Sequence, residues 1–126
     1  MKVRIYYHHT DCGKVVYYAE YLKFLEQART ELFEQKGLSL KQLMQQGILF
    51  VVSRQEIDYK SPAFYADTLQ IDSRISNLSS VRVEFDHRIS NQNEQTVCLA
   101  KTTLVCVDAN LKPRAIPQEI RNKLLK

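Results

Sequence analysis

The period of the apolar positions changes twice along the chain. Val3 to Tyr7 is β-branched and aromatic and predicts a short strand. His8 to Lys14 breaks the pattern, holds Gly13, and reads as a loop. From about Tyr18 to Lys36 the spacing becomes helical: Tyr21, Phe24, Leu25, Ala28 and Leu32 form one apolar stripe, with Glu20, Lys23, Gln27, Glu31 and Glu34 outside it. Gly37 is a natural stop, and Ser39 is placed to cap a second, short helix that Gly47 closes.

Beyond Gly47 the pattern is that of strands. Ile48 to Tyr59 is one, ended by Ser61-Pro62; Thr68 to Ile75 is the next, with a turn at Ser76-Asn77-Leu78-Ser79. Val81 to Ile89 sets Val81, Val83, Phe85 and Ile89 on one face and Arg82, Glu84, Asp86 and Arg88 on the other. Thr96 to Val107 is long and apolar on both faces at its end, as in a central strand, and Pro117 opens a C-terminal helix. One strand, one long helix and four strands with short turns predict an α+β domain over 1–126, an antiparallel five-stranded sheet wrapped around one long helix. The partly apolar outer face and long strands predict self-association by edge or face.

Length and composition support one such domain. The 126 residues suffice for a single core without disulfide or metal, and 44% hydrophobic with 25% charged residues is globular composition. No apolar run reaches the length of a membrane span. Cys12, Cys98 and Cys106 are odd in number and lack Cys-x-x-Cys spacing, which predicts reduced thiols, a cytoplasmic location and no zinc site. The net charge of +4 comes wholly from the tail: residues 1–108 hold thirteen basic and thirteen acidic residues, while 109–126 carry Lys112, Arg114, Arg121, Lys123 and Lys126 against Glu119. A nucleic-acid surface spreads its basic residues over a face with interleaved aromatics, so no nucleic acid is expected. The tail reads as a solvated end, with a phosphate-bearing small ligand or peripheral contact to an anionic membrane as the alternatives.

The densest reactive cluster is His8, His9, Thr10, Asp11, Cys12 and Gly13, just before the long helix. Free N–H groups at a helix start polarise a carbonyl and hold an oxyanion, and a nearby carboxylate completes acyl-transfer chemistry. Asp11 is that carboxylate; the competing reading is that Asp11 or Thr10 caps a turn or the helix. A Cys12 nucleophile needs a base, but strand alternation sends His8 and His9 to opposite sides. Glu20 reads as a first-turn acid. Ser79, Ser80 and Arg82 offer hydroxyls and a guanidinium near one strand start, suited to phosphate.

Thr10-Asp11, Val15-Val16-Tyr17, Tyr21 to Phe24 and Glu26 to Glu31 resemble the signature of hotdog-fold acyl-CoA thioesterases, specifically the YbgC type within the 4-hydroxybenzoyl-CoA thioesterase family. Glu56-Ile57-Asp58-Tyr59 with Pro62-Ala63, and Leu104 to Asp108 with Lys112 to Pro117, extend the resemblance over nearly the whole chain. It implies a hotdog fold, hydrolysis of acyl-CoA without cofactor or metal, and a homodimer or homotetramer with active sites between subunits. Acyl carrier protein thioesters are a further substrate form. Asp11 aligns with the catalytic carboxylate, as nucleophile or general base. Tyr18 aligns with the position whose backbone N–H binds the thioester oxygen, and Val16 and Tyr17 flank it as substrate contacts. Tyr18 stands where YbgC-type members usually have His, and Lys14 where the family prefers Gly, so either the loop differs or Gly13 takes over that role. A non-catalytic acyl-thioester- or partner-binding protein is the alternative.

Overall fold

The computed structural model describes all 126 residues. Its central helix, α1 (Glu20–Gln35), buries Tyr21, Phe24, Leu25 and Ala28 of the expected stripe, and also Arg29 and Phe33; Leu32 lies at the rim. At its C-terminal end Gly37 adopts φ 80°. Gly37 N–H bonds Glu34 O at 3.0 Å and Leu38 N–H bonds Phe33 O at 2.9 Å. This pair of bonds, with Leu38 and Phe33 both buried, is a Schellman stop. The short α2 (Leu40–Gln45) starts where Ser39 Oγ accepts Gln42 N–H at 3.3 Å.

The strands are β1 (Lys2–Arg4), β2 (Thr10–Asp11), β3 (Val15–Val16), β4 (Leu49–Tyr59), β5 (Thr68–Leu78), β6 (Arg82–Ser90) and β7 (Thr96–Val107); α3 is Gln118–Leu124. The main sheet is antiparallel in the order β1-β5-β6-β7-β4 and curls around α1, the arrangement expected from the pattern; β2 and β3 form a separate hairpin. Three local expectations are corrected. The first strand ends at Arg4, and Tyr7–His9 form a turn of 3-10 helix. The helix begins at Glu20 rather than Tyr18. The β5–β6 turn lies at Ser79 to Val81, because a bulge between Ile75 and Asn77 absorbs Ser76 and lets the ladder run on to Leu78 opposite Val83. The basic tail is part of the fold: Ile120 and Leu124 are buried, Arg121 donates to Ser79 O, and Lys123 Nζ reaches Gly37 O at 3.3 Å.

Two apolar clusters fill the space between helix and sheet. One gathers Tyr21, Phe24, Leu25 and Ala28 with Ile71, Ile89 and Ala100; the other gathers Phe33, Val83, Phe85, Leu104, Ile120 and Leu124. A polar seam separates them, and its hydrogen bonds have one consistent direction. Gln55 Nε2 donates to the carbonyls of Glu56 and Lys101 at 3.1 and 3.0 Å. Its Oε1 therefore accepts the Thr102 hydroxyl at 2.7 Å. Thr102 Oγ1 then accepts from Arg29 Nη1 at 3.4 Å and from His87 Nε2 at 3.2 Å. This places the His87 proton on Nε2, so Nδ1 accepts the Ser73 hydroxyl at 2.7 Å. Burial, and then the nearby Arg29 charge, hold the His87 pKa down at about 4, so the ring is neutral at pH 7.

Candidate active site

The loop before α1 is folded back on itself. Cys12 and Gly13 have φ of 52° and 76°, two successive left-handed residues, as a type I′ turn requires. Lys14 N–H closes the turn on Asp11 O at 3.1 Å. Gly13 supplies the positive φ without a steric cost, and a Cβ there would sit 3.0 Å from the Tyr7 ring. Lys14 is thus accommodated by Gly13 taking the left-handed position. The flanking β2–β3 pairing sets Asp11 opposite Val15 and Thr10 opposite Val16.

That hairpin delivers the chain into α1. Val16 N–H bonds Ala63 O at 2.8 Å and Tyr17 N–H bonds His9 O at 2.9 Å. The next N–H, that of Tyr18, donates to nothing in the chain. No side chain caps α1, whose N-cap is Ala19. The capping reading of Asp11 and Thr10 is therefore not what the chain does: Thr10 Oγ1 donates to Tyr7 O at 2.6 Å, and the exposed Asp11 carboxylate has no hydrogen-bond partner. Tyr59 Oη fastens the same stretch from β4, donating to Tyr18 O at 3.1 Å.

Aromatic residues cluster on the segments that carry the hairpin into α1. Tyr17 is 46% exposed, and its ring lies 4.8 Å from that of Tyr18, which in turn meets Tyr59 edge-on at 6.5 Å. The Tyr17 phenol pKa is pushed up, first by hydrogen bonding with the Tyr18 side chain and, more weakly, by the charge of Asp11. Tyr7 meets Tyr65 edge-on at 6.1 Å. All seven tyrosines lie between positions 6 and 65 and gather at this end of the molecule. His8 and His9 also stand here, with rings 4.0 Å apart rather than on opposite sides, because the 3-10 turn replaces strand alternation. His9 Nδ1 accepts Tyr6 N–H at 2.9 Å, and burial first, then His8, lower its pKa. Glu20 holds Lys23 Nζ at 3.3 Å, as a first-turn acid.

The structure thus sets Asp11 within electrostatic reach of the Tyr17 phenol and leaves the neighbouring Tyr18 N–H without an acceptor. Val16 is placed differently from these groups: its side chain is buried among the core residues beneath the hairpin. Ser79, Ser80 and Arg82 stand at the opposite end of α1, which spans about 24 Å at ~1.5 Å per residue. Ser79 Oγ accepts Arg82 N–H at 3.0 Å and so serves the turn, while the Ser80 carbonyl accepts Ile116 N–H at 2.8 Å and ties the turn to the C-terminal segment. A hollow of about 460 Å³ lies on the sheet's outer face among Glu56, Asp72, Arg74, Asp86 and Lys101, away from Asp11. Tyr59 and the Cys12–Gly13 turn are components that the sequence pattern did not reveal; the glycine itself was the available signal.

Known proteins share this fold and part of this sequence. The sequence profile of the thioesterase-like superfamily matches residues 5–124. The acyl-CoA thioester hydrolase YbgC of Escherichia coli O6:H1 is 39% identical over 119 residues, covering 94% of this chain and 89% of that protein. The crystal structure of a probable thioesterase from Bartonella henselae superposes with a TM-score of 0.86 at 32% identity, over 93% of this chain and 97% of that one. A 1,4-dihydroxy-2-naphthoyl-CoA thioesterase from Synechocystis shares the fold at a TM-score of 0.91 and 24% identity, over 100% and 94% of the two chains. With a family profile matched over nearly its whole length and a relative 39% identical across 94% of it, the chain belongs to the thioesterase-like superfamily.

Proposed function

We propose that the chain hydrolyses acyl-CoA thioesters, with Asp11 supplying the carboxylate and the Tyr18 N–H the oxyanion contact. The observation that carries this reading is the pair of groups left open by the fold: an unpartnered carboxylate on a tight turn and an unpartnered N–H at the head of α1. The thioester carbonyl oxygen accepts from Tyr18 N–H, which gains strength as charge develops on that oxygen. Asp11 then acts in one of two ways. As nucleophile it bonds to the carbonyl carbon, the C–S bond breaks, CoA leaves as thiolate, and water cleaves the mixed anhydride. As general base it takes a proton from water, whose oxygen bonds to the carbon as the thiolate leaves. In a single turnover in ¹⁸O-water, label found in the Asp11 carboxylate identifies the anhydride route, in which water has attacked the Asp11 carbonyl.

The backbone donor does not depend on the Tyr18 side chain, so the absent imidazole leaves the oxyanion contact in place. The exposed Tyr17, Tyr18 and Tyr59 rings provide an aromatic setting for the acyl group. Acyl carrier protein thioesters present the same reacting carbonyl and are a second substrate form. The three free cysteines fit a reducing, cytoplasmic setting. No helix is long and apolar enough to cross a membrane. The unpaired outer edge of β4 fits a homodimer. Ser79, Ser80 and Arg82 reach CoA phosphates only from a second copy, because within one chain they sit at the far end.

The decisive assay follows free CoA release over short, long and aromatic acyl-CoAs. Asp11→Asn should lower kcat about 10²-fold or more with an unchanged circular dichroism spectrum. Wild-type turnover surviving intact in that variant would remove Asp11 from the reaction. Tight acyl-CoA binding without turnover in the wild type would establish the non-catalytic alternative.

A further inference from the structure

The N–H left open at Tyr18 is aimed by hydrogen bonds to neighbouring peptide units. Tyr18 is 61% exposed, so its own side chain anchors it weakly. It also precedes α1, whose N-cap is Ala19, so the helical ladder does not fix it. Tyr17 N–H bonds His9 O at 2.9 Å and Glu20 N–H bonds Tyr17 O at 2.9 Å. The second bond pins the carbonyl of the same peptide unit that carries the Tyr18 N–H. A donor on that carbonyl polarises the amide and strengthens its N–H. The following peptide unit has one restraint. Tyr18 O accepts from Tyr59 Oη at 3.1 Å and from no other group in the chain.

Tyr59 stands on a firm base for that task. It is the last residue of β4 and lies opposite the buried Cys98 in the ladder with β7. Just beyond it, Lys60 N–H and Ser61 N–H both reach Val97 O, at 2.8 and 3.2 Å, and Ser61 Oγ donates to Thr96 O at 2.9 Å. The Tyr59 ring lies 5.6 Å from that of Tyr21, a core residue, and meets Tyr18 edge-on at 6.5 Å. Burial first, then Cys98 and Tyr18, push the Tyr59 phenol up, so the hydroxyl keeps its proton and stays a donor at neutral and mildly alkaline pH. Two rigid peptide planes meet at the Tyr18 Cα and turn about φ and ψ. With Tyr17 O bonded on one side and Tyr18 O on the other, neither plane swings freely, and the direction of the N–H between them is set.

We propose that Tyr59 is a positioning residue for thioester hydrolysis: its hydroxyl, held by the end of β4, fixes the Tyr18 carbonyl and so aims the Tyr18 N–H at the oxygen that takes up charge. It acts through Tyr18 and does not touch the reacting atoms. The inference rests on the hydrolase reading above and adds the group that preorganises its oxyanion donor. A donor already aimed needs no reorientation as charge develops, so a small misplacement is felt in the rate more than in binding. An exposed hydroxyl–carbonyl bond contributes only modestly to folding, so the tether can be removed with the fold intact.

Tyr59→Phe in the full chain tests it, because the ring and its contact with Tyr21 remain and only the tether goes. Tyr65→Phe, an exposed phenol at the same end of the molecule, is the control, and far-ultraviolet dichroism checks both folds. Free CoA release from acyl-CoA should show kcat about tenfold lower in Tyr59→Phe with KM within about twofold of wild type, and neither constant changed in Tyr65→Phe. The second readout is the infrared carbonyl band of a bound ¹³C-labelled ketone analogue, with a methylene in place of the thioester sulfur. The aimed N–H lowers its frequency in the wild type, and in Tyr59→Phe the band should move up. A wild-type kcat in Tyr59→Phe, or a lowered kcat with an unmoved band, would overturn the tether while leaving Asp11-dependent turnover in place. A raised KM at unchanged kcat would make Tyr59 a substrate contact and overturn it equally. A wild type that releases no CoA from any thioester would overturn the hydrolase reading and the tether with it.

Discussion

Gly13 meets two demands at once, a left-handed backbone and close passage of the Tyr7 ring. Gly13→Ala should therefore cost about 1–2 kcal/mol, read as a lowered midpoint in urea, and kcat should fall more than KM rises, because Asp11 is two residues away. Asp11 was legible in the sequence as a lone carboxylate ahead of an amphipathic helix. That it caps nothing was not legible, since capping depends on which hydroxyls and carbonyls the turn brings near. Tyr59 was invisible for a different reason: it reaches Tyr18 across 41 positions of chain, and no local pattern encodes that meeting. His87 left a trace in the alternation of β6, where it holds the inward position between Phe85 and Ile89.

Among the elements, α1 was the most legible because sixteen residues repeat one period, and its C-terminal stop is encoded by Gly37 and Leu38. Phe33 closes that stop and packs its ring against Phe50 and Phe85, at 5.3 and 5.9 Å. Phe33→Ala should destabilise by about 3–5 kcal/mol in chemical denaturation, more than truncating Leu32 at the rim. Strand boundaries were less legible. The bulge at Ser76 keeps a polar stretch inside the ladder, so residues typical of a turn lie in β5. The β2–β3 hairpin has two residues per strand, too few for a period to register. Its existence follows from turn geometry and from the Val16–Ala63 and Tyr17–His9 bonds.

At the scale of the whole molecule, the two apolar clusters are separated by a seam whose hydrogen bonds run as described only while His87 is neutral. Unfolded, this imidazole has a pKa near 6.5; folded, about 4. The unfolded chain thus binds the extra proton between those values. Stability is full above pH 6.5, falls as pH drops toward 4, and the total loss from this group is roughly 3 kcal/mol. His87→Gln should flatten that part of the stability–pH curve, measured by urea midpoints from pH 7 to 4. The overall topology was legible from element order, because short turns leave an antiparallel sheet few alternatives. The seam was not, since Arg29 reads on a helix wheel as a rim charge. The gathering of all seven tyrosines at the Asp11 end has an optical consequence. The chain has no tryptophan, so its ultraviolet emission comes from phenols alone. Fluorescence of the unlabelled protein is therefore a local signal: it registers what enters beside the carboxylate and is nearly blind to events around α3.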